Sequence, residues 1–459
     1  MATEKPDAIV VFGVSGDLAQ KKIIPALYAL VCRGYFKGPV IGVAKRERTP
    51  EQIRAMVRES LESHGGVNPQ TFASLIESIH YVGGDYRDPA TFTRLRKALG
   101  SVARPLYYLA IQPSLFTTVI EGLAKLSVVD GARMIVEKPF GRNLASAEAL
   151  NRMLHNYFPD QAIFRIDHYL GKESVQNLVY FRFANPIFET GWNRHSIQRV
   201  QITMAEQFGV AGRGRFYEEV GAIRDVVQNH LLMLIACLAM EQPPDRDTES
   251  IREERVKVLK MIRPLTPSDV VRGQFNGYRL ENGVAYDSQV ETFAALRFYI
   301  DSERWAGVPF YVRTGKCLPV TATEVLVEYK RPSSRVLGET EPPLPNYFRF
   351  RLSPDMIIAL GTKAKVPGEA LVGERIELVA RQCSGDEDEM DPYERLLGDA
   401  MKGDAALFAR GDGVEAAWRI IQPILETPMF LYEYEPNTWG PREADRLIEC
   451  GWHNPQMSG

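Results

Sequence analysis

An apolar run, Ala8–Phe12, ends in Gly13-Val14-Ser15-Gly16-Asp17-Leu18-Ala19 and passes straight into a segment whose apolar residues recur at helical spacing. A strand that turns into a helix over two glycines opens a βαβ unit, and such units build parallel sheets. The alternation continues to about Phe164. Apolar runs at Val40–Val43, Ile79–Val82, Leu106–Ile111 and Arg133–Glu137 predict further strands. Helical patterns at Leu18–Val31, Pro50–Glu62, Ser114–Lys125 and Asn143–Tyr157 lie between them. The expected N-terminal domain is a doubly wound nucleotide-binding fold over residues 1–164, with its ligand at the carboxyl ends of the strands.

Beyond Arg165 the pattern changes. One long helical stretch, Phe216–Met240, precedes strand-like runs at Thr292–Ile300, Thr323–Tyr329, Asn346–Leu352, Met356–Gly361 and Arg375–Val379, joined by connections too short for helical crossovers. Phe348, Phe350 and Leu352 alternate with Arg349 and Arg351, the half-buried pattern of an antiparallel strand. Residues 165–459 are therefore expected to form an α+β domain with a large, mainly antiparallel sheet, and Pro332–Pro345 a loop within it. A chain of 459 residues exceeds a single hydrophobic core, which agrees with two domains.

Composition narrows the function classes. With 45% hydrophobic and 25% charged residues the chain sits at the globular mean. Apolar runs such as Leu231–Met240 are shorter than the roughly 20 residues of a bilayer span, and Met1–Asp7 lacks a signal-peptide pattern, so a soluble cytoplasmic protein with no membrane partner is expected. Cys32, Cys237, Cys317, Cys383 and Cys450 are scattered, without metal-ligand spacing, which predicts reduced thiols and no metal site. A net charge of −3 offers no field for nucleic acid, so any bound anion must be held by a local cluster.

Two such clusters stand out in the N-terminal half. In the glycine turn, Gly13, Ser15, Gly16, Asp17 and Leu18 are candidates to hold a pyrophosphate at a helix N-terminus, although the turn departs from GxGxxG and a plain tight connection would look similar. After the second strand stand Lys45 and Arg46, where an NAD-specific fold usually has an acid. Cations there suit the 2′-phosphate of NADP. A solvated loop reads the same way, and Glu47 leaves NAD use open.

Arg165-Ile166-Asp167-His168-Tyr169-Leu170-Gly171-Lys172 places a carboxylate, an imidazole, a phenol and an ammonium in one short run. His168, Tyr169 and Lys172 could together hold a phosphate dianion, and on chemistry alone a structural ion-pair network is equally compatible. Inside the long helix, Ile223-Arg224-Asp225-Val226-Val227-Gln228-Asn229-His230 carries a second polar group. Helical spacing aligns His230 with Val226 and Leu234, as for a core histidine. Asp225 and Asn229 add a polar stripe beside it, which is costly to bury unless it lines a site.

These motifs, with Glu137-Lys138-Pro139-Phe140-Gly141 and Arg313-Thr314-Gly315-Lys316, resemble in order and spacing the signature set of glucose-6-phosphate dehydrogenases of bacterial type over nearly the whole chain. The resemblance implies a Rossmann-type N-terminal domain and an oxidoreductase that moves a hydride from C1 of glucose 6-phosphate to NADP, with NAD use possible. It implies that His230 is the general base and Asp167 the carboxylate orienting it. It assigns His168, Tyr169 and Lys172 to the sugar phosphate, Glu206, Asp225 and Lys316 to the hexose, and Lys138 to a place between substrate and coenzyme. A homodimer or homotetramer joined through the large sheet is implied as well.

Two departures from the family pattern bear on the site. Val14 stands where the turn usually has a small alanine, and Cys317-Leu318-Pro319 follows Lys316 without a further basic residue. The competing readings are a dehydrogenase of a non-phosphorylated sugar, of the glucose–fructose oxidoreductase type, and a catalytically silent NADP-binding protein.

Overall fold

In the computed structural model, which describes residues 5–126, 128–245, 247–332, 344–369, 371–382 and 390–456, the apolar runs of the N-terminal third become parallel strands. The chain divides into two compact units. The first comprises Met1–Lys172 with Pro243–Glu253 and Met390–Glu415, and the second comprises Glu173–Gln242, Glu254–Glu389 and Ala416–Gly459. The first unit thus draws on chain far beyond the expected boundary at residue 164. Strands are numbered β1–β16 along the chain.

In the first unit, β1 (Ala8–Phe12), β2 (Val40–Ala44), β3 (Ile79–Gly83), β4 (Pro105–Leu109), β5 (Arg133–Val136) and β6 (Ile163–Ile166) are joined by β15 (Phe408–Ala409). Their order is β15-β6-β5-β4-β1-β2-β3. Every pair is parallel except β15 with β6. The order reverses beside β1, so the crevice between the ends of β1 and β4 is the topological switch point at which such sheets bind ligands. All five positions of β1 are buried, as expected of a central strand covered on both faces.

Local chemistry explains where the helices start. Thr49 caps Pro50–Glu62 through a reciprocal box with Gln52, and Pro50 takes the first position, where its missing N–H costs nothing. Two helices not read from the sequence, Pro69–Ser78 and Pro89–Leu99, begin the same way, with Asn68 and Asp88 accepting the first free amides. The first helix opens with a π turn, Ala19–Ile23, ahead of Pro25, which has no amide for the i−4 carbonyl. The run expected to extend to Ile111 leaves the sheet at Leu109.

The second unit holds β7 (Ile197–Ala205), β8 (Val270–Phe275), β9 (Phe293–Phe298), β10 (Phe310–Gly315), β11 (Ala322–Tyr329), β12 (Tyr347–Ser353), β13 (Met356–Lys365), β14 (Gly373–Gln382) and β16 (Leu431–Tyr434). They form one nine-stranded sheet, β14-β13-β12-β11-β7-β10-β9-β8-β16. It is antiparallel except where β10 meets β7 and β16 meets β8. The strands β7, β8, β10 and β16 were not anticipated, while the predicted loop tip at 333–343 and Cys383 lie outside the described residues.

The long helical stretch is continuous over Gly214–Ala239 but not uniform. Gly221 breaks the helical path (φ 63°, ψ 178°), Ile223–Leu231 is π-helical, and Leu232–Ala239 is α-helical and buried throughout. By length and composition this segment could cross a membrane, contrary to the expectation from its shorter apolar runs; 83% of its most apolar window is buried inside the fold, as in the core helix of a globular unit.

The alternation on β12 also differs from expectation. Phe348 and Phe350 pack with Phe181, Phe188 and Trp192 on one face. The arginine face is covered too: Arg351 is buried, bonding Glu324 of β11 at 2.9 Å and the Gln456 carbonyl at 2.5 Å. The His453 ring lies 2.7 Å from the same Glu324 carboxylate, so the C-terminal segment closes over these charges.

Burial works to raise the Glu324 carboxyl, but the hydrogen bond from His453 and the charges of His453, Arg351 and Arg349 outweigh it and hold it below the ordinary carboxylate range. A depressed folded-state pKa stabilises above the unfolded-state value and is lost as pH falls through the folded one. Glu324→Gln is therefore expected to cost about 3 kcal/mol at neutral pH, mainly by stranding Arg351. In urea unfolding the gap to wild type should narrow as the carboxyl protonates, and a gap independent of pH would show that charge is not what Glu324 contributes.

Candidate functional site

At the switch point the chain needs a residue without a side chain. Gly13 has φ +82°, and a Cβ there would fall 2.2 Å from the Ala110 carbonyl oxygen just beyond β4. The Gly13 amide donates to the Val43 carbonyl at 2.8 Å and to the Tyr86 hydroxyl at 3.0 Å, while that hydroxyl donates to Val43 at 3.2 Å. Burial pushes the Tyr86 phenol up to about 12, so it stays a neutral strut. Gly16 donates back to Gly13, and the Gln20 side chain to the Ser15 carbonyl, which closes the turn.

Val14 does not crowd this turn. Its side chain is buried against β2, where a Cβ on Gly42 would meet it at 2.7 Å, so the missing side chain of Gly42 makes room for the larger residue. Gly16 is exposed and Leu18 half-buried, whereas Asp17 is exposed and forms a 3.0 Å ion pair with Lys21. The turn thus presents a bare backbone at a helix N-terminus, a cradle suited to a pyrophosphate. Lys45 and Arg46 are both exposed beyond β2; Lys45 lies 3.9 Å from Asp85, and the Arg46 carbonyl accepts from the Tyr81 hydroxyl. These exposed cations fit a 2′-phosphate electrostatically.

The ends of β5 and β6 adjoin because the two strands pair in register, which brings Glu137-Lys138 beside Asp167-His168. The buried Glu137 carboxylate accepts from the Tyr108 hydroxyl at 2.6 Å and lies 3.6 Å from His168 Nε2. The His168 ring stacks on Tyr393, with centroids 4.6 Å apart. Asp167 is 3% exposed, and its Oδ1 accepts the Tyr169 amide at 2.9 Å, fixing the turn that follows β6. The Lys172 ammonium sits over the Tyr169 ring at 3.9 Å. Lys138, half-buried, precedes a cis proline. The first unit therefore gathers Lys138, Asp167, His168, Tyr169 and Lys172 at the carboxyl end of its sheet.

The second unit gathers the remaining candidates. Lys316, 8% exposed at the end of β10, forms an ion pair with Glu206 at the end of the adjacent β7 and lies over the rings of Phe208 and Tyr217. Tyr217 is fully buried; burial first, then the nearby carboxylates of Asp225, Glu291 and Glu206, drives its phenol well above the ordinary range. Glu206, Asp225 and Lys316 thus surround one tyrosine.

His230 is 7% exposed, with Val226 and Leu234 buried beside it. The α-helical stripe inferred from the sequence is modified by the π turn. Five residues of α-helix separate Asp225 from His230 by roughly 140° about the axis, whereas five residues at about 4.4 per turn leave roughly 50°. At the pitch of a wide turn, His230 therefore lies closer in angle to Asp225 than an α-helical stripe implies.

Some site residues escaped the sequence reading. Tyr86 supports the glycine turn from 73 positions away, and no local motif marks it. Glu291, 4% exposed, accepts the Ile223 amide at 3.1 Å and so anchors the start of the π turn. Among the described residues no group of three or more His, Cys, Asp or Glu side chains is placed to hold a metal ion.

A doubly wound sheet with a bare glycine turn at its switch point defines a dinucleotide-binding protein, here combined with a large, mainly antiparallel sheet. The family model "Glucose-6-phosphate dehydrogenase, NAD binding domain" matches residues 10–177, and "Glucose-6-phosphate dehydrogenase, C-terminal domain" matches 179–453. Glucose-6-phosphate 1-dehydrogenase 1 of Mycobacterium tuberculosis (strain CDC 1551 / Oshkosh) is 40% identical over 454 residues, covering 98% of this chain and 97% of that protein. The crystal structure of glucose-6-phosphate 1-dehydrogenase from Mycobacterium avium superposes with a TM-score of 0.92 at 40% identity, covering 99% of this chain and 100% of the other. A glucose-6-phosphate dehydrogenase in complex with its substrate glucose-6-phosphate gives 0.91 at 34% identity, with the same coverage. The chain belongs to the glucose-6-phosphate dehydrogenase family.

Tyr86→Phe removes one of the two acceptors of the Gly13 amide. It should weaken dinucleotide binding about 3- to 10-fold and lower stability by about 1 kcal/mol, the net worth of one hydrogen bond. Fluorescence titration with the reduced coenzyme, beside thermal unfolding, measures both. Lost stability with unaltered affinity would confine Tyr86 to core packing.

Proposed function

We propose that this protein oxidises glucose 6-phosphate at C1 to 6-phosphogluconolactone with NADP, the entry reaction of the pentose phosphate pathway, and that NAD can replace NADP. What carries the reading is family membership along nearly the whole chain, supported by the motif residues 167–172 and 225–230 in the sequence. When bound, NADP supplies the hydride acceptor. Gly13 and Gly16 leave the pyrophosphate a bare backbone, Ser15, Asp17 and Leu18 complete the turn, and Lys45 and Arg46 neutralise the 2′-phosphate.

In this reading His230 accepts the proton of the C1 hydroxyl, for which an imidazole of unperturbed pKa about 6.5 is suited at neutral pH. Asp167 orients the ring and stabilises its protonated form, the division of labour of other histidine–carboxylate pairs. His168, Tyr169 and Lys172 bind the phosphate. Glu206, Asp225 and Lys316 take the sugar hydroxyls, and Lys138 serves both substrate and coenzyme. Binding the remote phosphate fixes C1, so affinity at one end of the sugar is used for alignment at the other.

A homodimer or homotetramer in the cytoplasm completes the proposal. Its support is the edge strand β14, whose Leu378 and Val379 are 57% and 45% exposed, with Val366, Leu371 and Val372 also open on adjoining chain.

Coenzyme reduction followed at 340 nm with glucose 6-phosphate, galactose 6-phosphate and glucose, each with NADP and with NAD, tests the activity. Turnover confined to phosphorylated sugars is expected; equal turnover of free glucose would contradict the phosphate assignment. His230→Asn should lower kcat by roughly 10²–10⁴-fold with the glucose 6-phosphate KM little altered. Unchanged turnover would remove His230 from the role of base. Replacing Lys45 and Arg46 together by Ser should erode the preference for NADP, and an unaltered NADP/NAD ratio would place 2′-phosphate recognition elsewhere.

A further inference from the structure

The π turn that carries His230 is held by a side chain to which neither the sequence motifs nor the chemistry assign a role. Runs of i→i+5 bonding are rare and usually confined to a single widened turn, because the geometry is poorer than that of an α-helix. Here the widened segment runs over nine residues, Ile223–Leu231, between a kink at Gly221 and the regular helix Leu232–Ala239. Something must favour it over the α-helical alternative.

One end is fixed by Glu291. Its carboxylate accepts the Ile223 amide at 3.1 Å and its backbone carbonyl the Ala222 amide at 3.0 Å. That approach is open because residue 221 is glycine: a Cβ there would lie 2.5 Å from Glu291 Oε1. The other end is fixed by Asn229. Its Nδ2 donates to the Arg224 carbonyl at 3.2 Å, and its Oδ1 accepts the His230 amide at 2.6 Å. One carboxamide thereby spans the wide turn, from a carbonyl five residues back to the amide of the next residue.

Asparagine disfavours helix interiors because its side chain competes for backbone groups. At this position that competition stabilises the widened geometry. Were the turn to relax to α-helical pitch, His230 would swing from roughly 50° to roughly 140° away from Asp225 about the axis.

We propose that Asn229 is a positioning residue for the reaction: by clipping the π turn it sets the rotation of His230 about the helix, and thus the direction from which the imidazole meets the proton it accepts. The proposal rests on the reading of His230 as general base. Asn229 itself makes no contact with substrate or coenzyme in this role, so its replacement should affect the chemical step and leave binding nearly alone.

The test compares Asn229→Ala and Asn229→Asp in the full chain, each alone and combined with His230→Asn. Asn229→Ala removes both hydrogen bonds but leaves the Glu291 anchor, so it should loosen the turn rather than convert it to α pitch and lower kcat by about 10- to 100-fold, the cost of misplacing a reacting group by about 1 Å, with both KM values within about twofold of wild type. Asn229→Asp keeps the acceptor for the His230 amide but loses the donor to the Arg224 carbonyl, and should lower kcat by about 5-fold, less than Asn229→Ala and still outside the twofold allowance. With glucose 6-phosphate deuterated at C1, the isotope effect on kcat should rise in Asn229→Ala as chemistry becomes rate-limiting.

In the His230→Asn background, either replacement should add less than about twofold, because a residue acting only through the imidazole has nothing left to position. A wild-type kcat in Asn229→Ala, or the same fold loss with and without His230, overturns the proposal. If Asn229→Ala does not fold, the same two criteria apply to Asn229→Asp, for which a measurable loss of kcat confined to the His230 background is expected. If His230→Asn alone turns over normally, it is the general-base reading that fails. If His230→Asn is impaired while Asn229→Ala matches wild type, only the positioning role falls.

Discussion

The architecture of the first unit turns on the absence of one methylene. The Ala110 carbonyl at the end of β4 occupies the space a side chain at residue 13 would need, and only a glycine in the left-handed region lets β1 turn there into its helix. Because β1 and β4 are adjacent at the point where strand order reverses, this contact also defines the crevice into which the turn opens. The neighbouring position shows the same steric logic in reverse. Val14 adds bulk, Gly42 of β2 removes it, and the larger residue enters the core without disturbing the backbone offered to a ligand.

How far the sequence could be read depended on whether the controlling interaction was local. Thr49, Pro50 and Gln52 are consecutive or nearly so, and the helix they start was legible to the residue. Asn68-Pro69 and Asp88-Pro89 carry the same capping chemistry, yet their helices were missed because periodicity, the cue relied on, is weaker there than the cap. The end of β4 was overrun by two residues, since Ala110 and Ile111 are as apolar as the strand but are claimed by the contact with Gly13. The π turn was illegible for a different reason: any stripe drawn at 3.6 residues per turn presupposes the α pitch, and only the Glu291 and Asn229 hydrogen bonds reveal that this helix abandons it.

The site residues divide along the same line. Motif-borne residues at the ends of β5 and β6 were singled out because each group is contiguous in the sequence; that strand pairing sets Glu137 beside His168 is visible only in the structure. Tyr86 and Glu291 were not, because each acts on a partner more than 60 positions away through a single hydrogen bond. The Arg313–Lys316 motif separates into two tasks. Arg313, pushed down to about 9 by burial, packs between Trp439 and Trp452 and donates to Thr203, the His453 carbonyl and Asn454. It anchors the C-terminal segment, while Lys316, three residues on, pairs with Glu206.

That pairing has a consequence for recognition. In the second unit the Lys316 ammonium is neutralised by Glu206, and the further acids near Tyr217 are Asp225 and Glu291, the latter paired with Arg272, so these side chains carry no surplus of positive charge. A cluster of that kind donates and accepts hydrogen bonds without attracting a dianion, which suits the hydroxyls of a sugar in the proposed assignment. In the first unit His168, Tyr169 and Lys172 follow one strand end, and Lys172 lies against the Tyr169 ring, which orders its chain. The proposed assignment puts the phosphate at this strand end, where donors of three kinds stand close together in the chain. Burial first, then the nearby Glu281 carboxylate, raises the Cys317 thiol, so a second ammonium at position 317 would be partly compensated locally rather than left as a free charge for a phosphate.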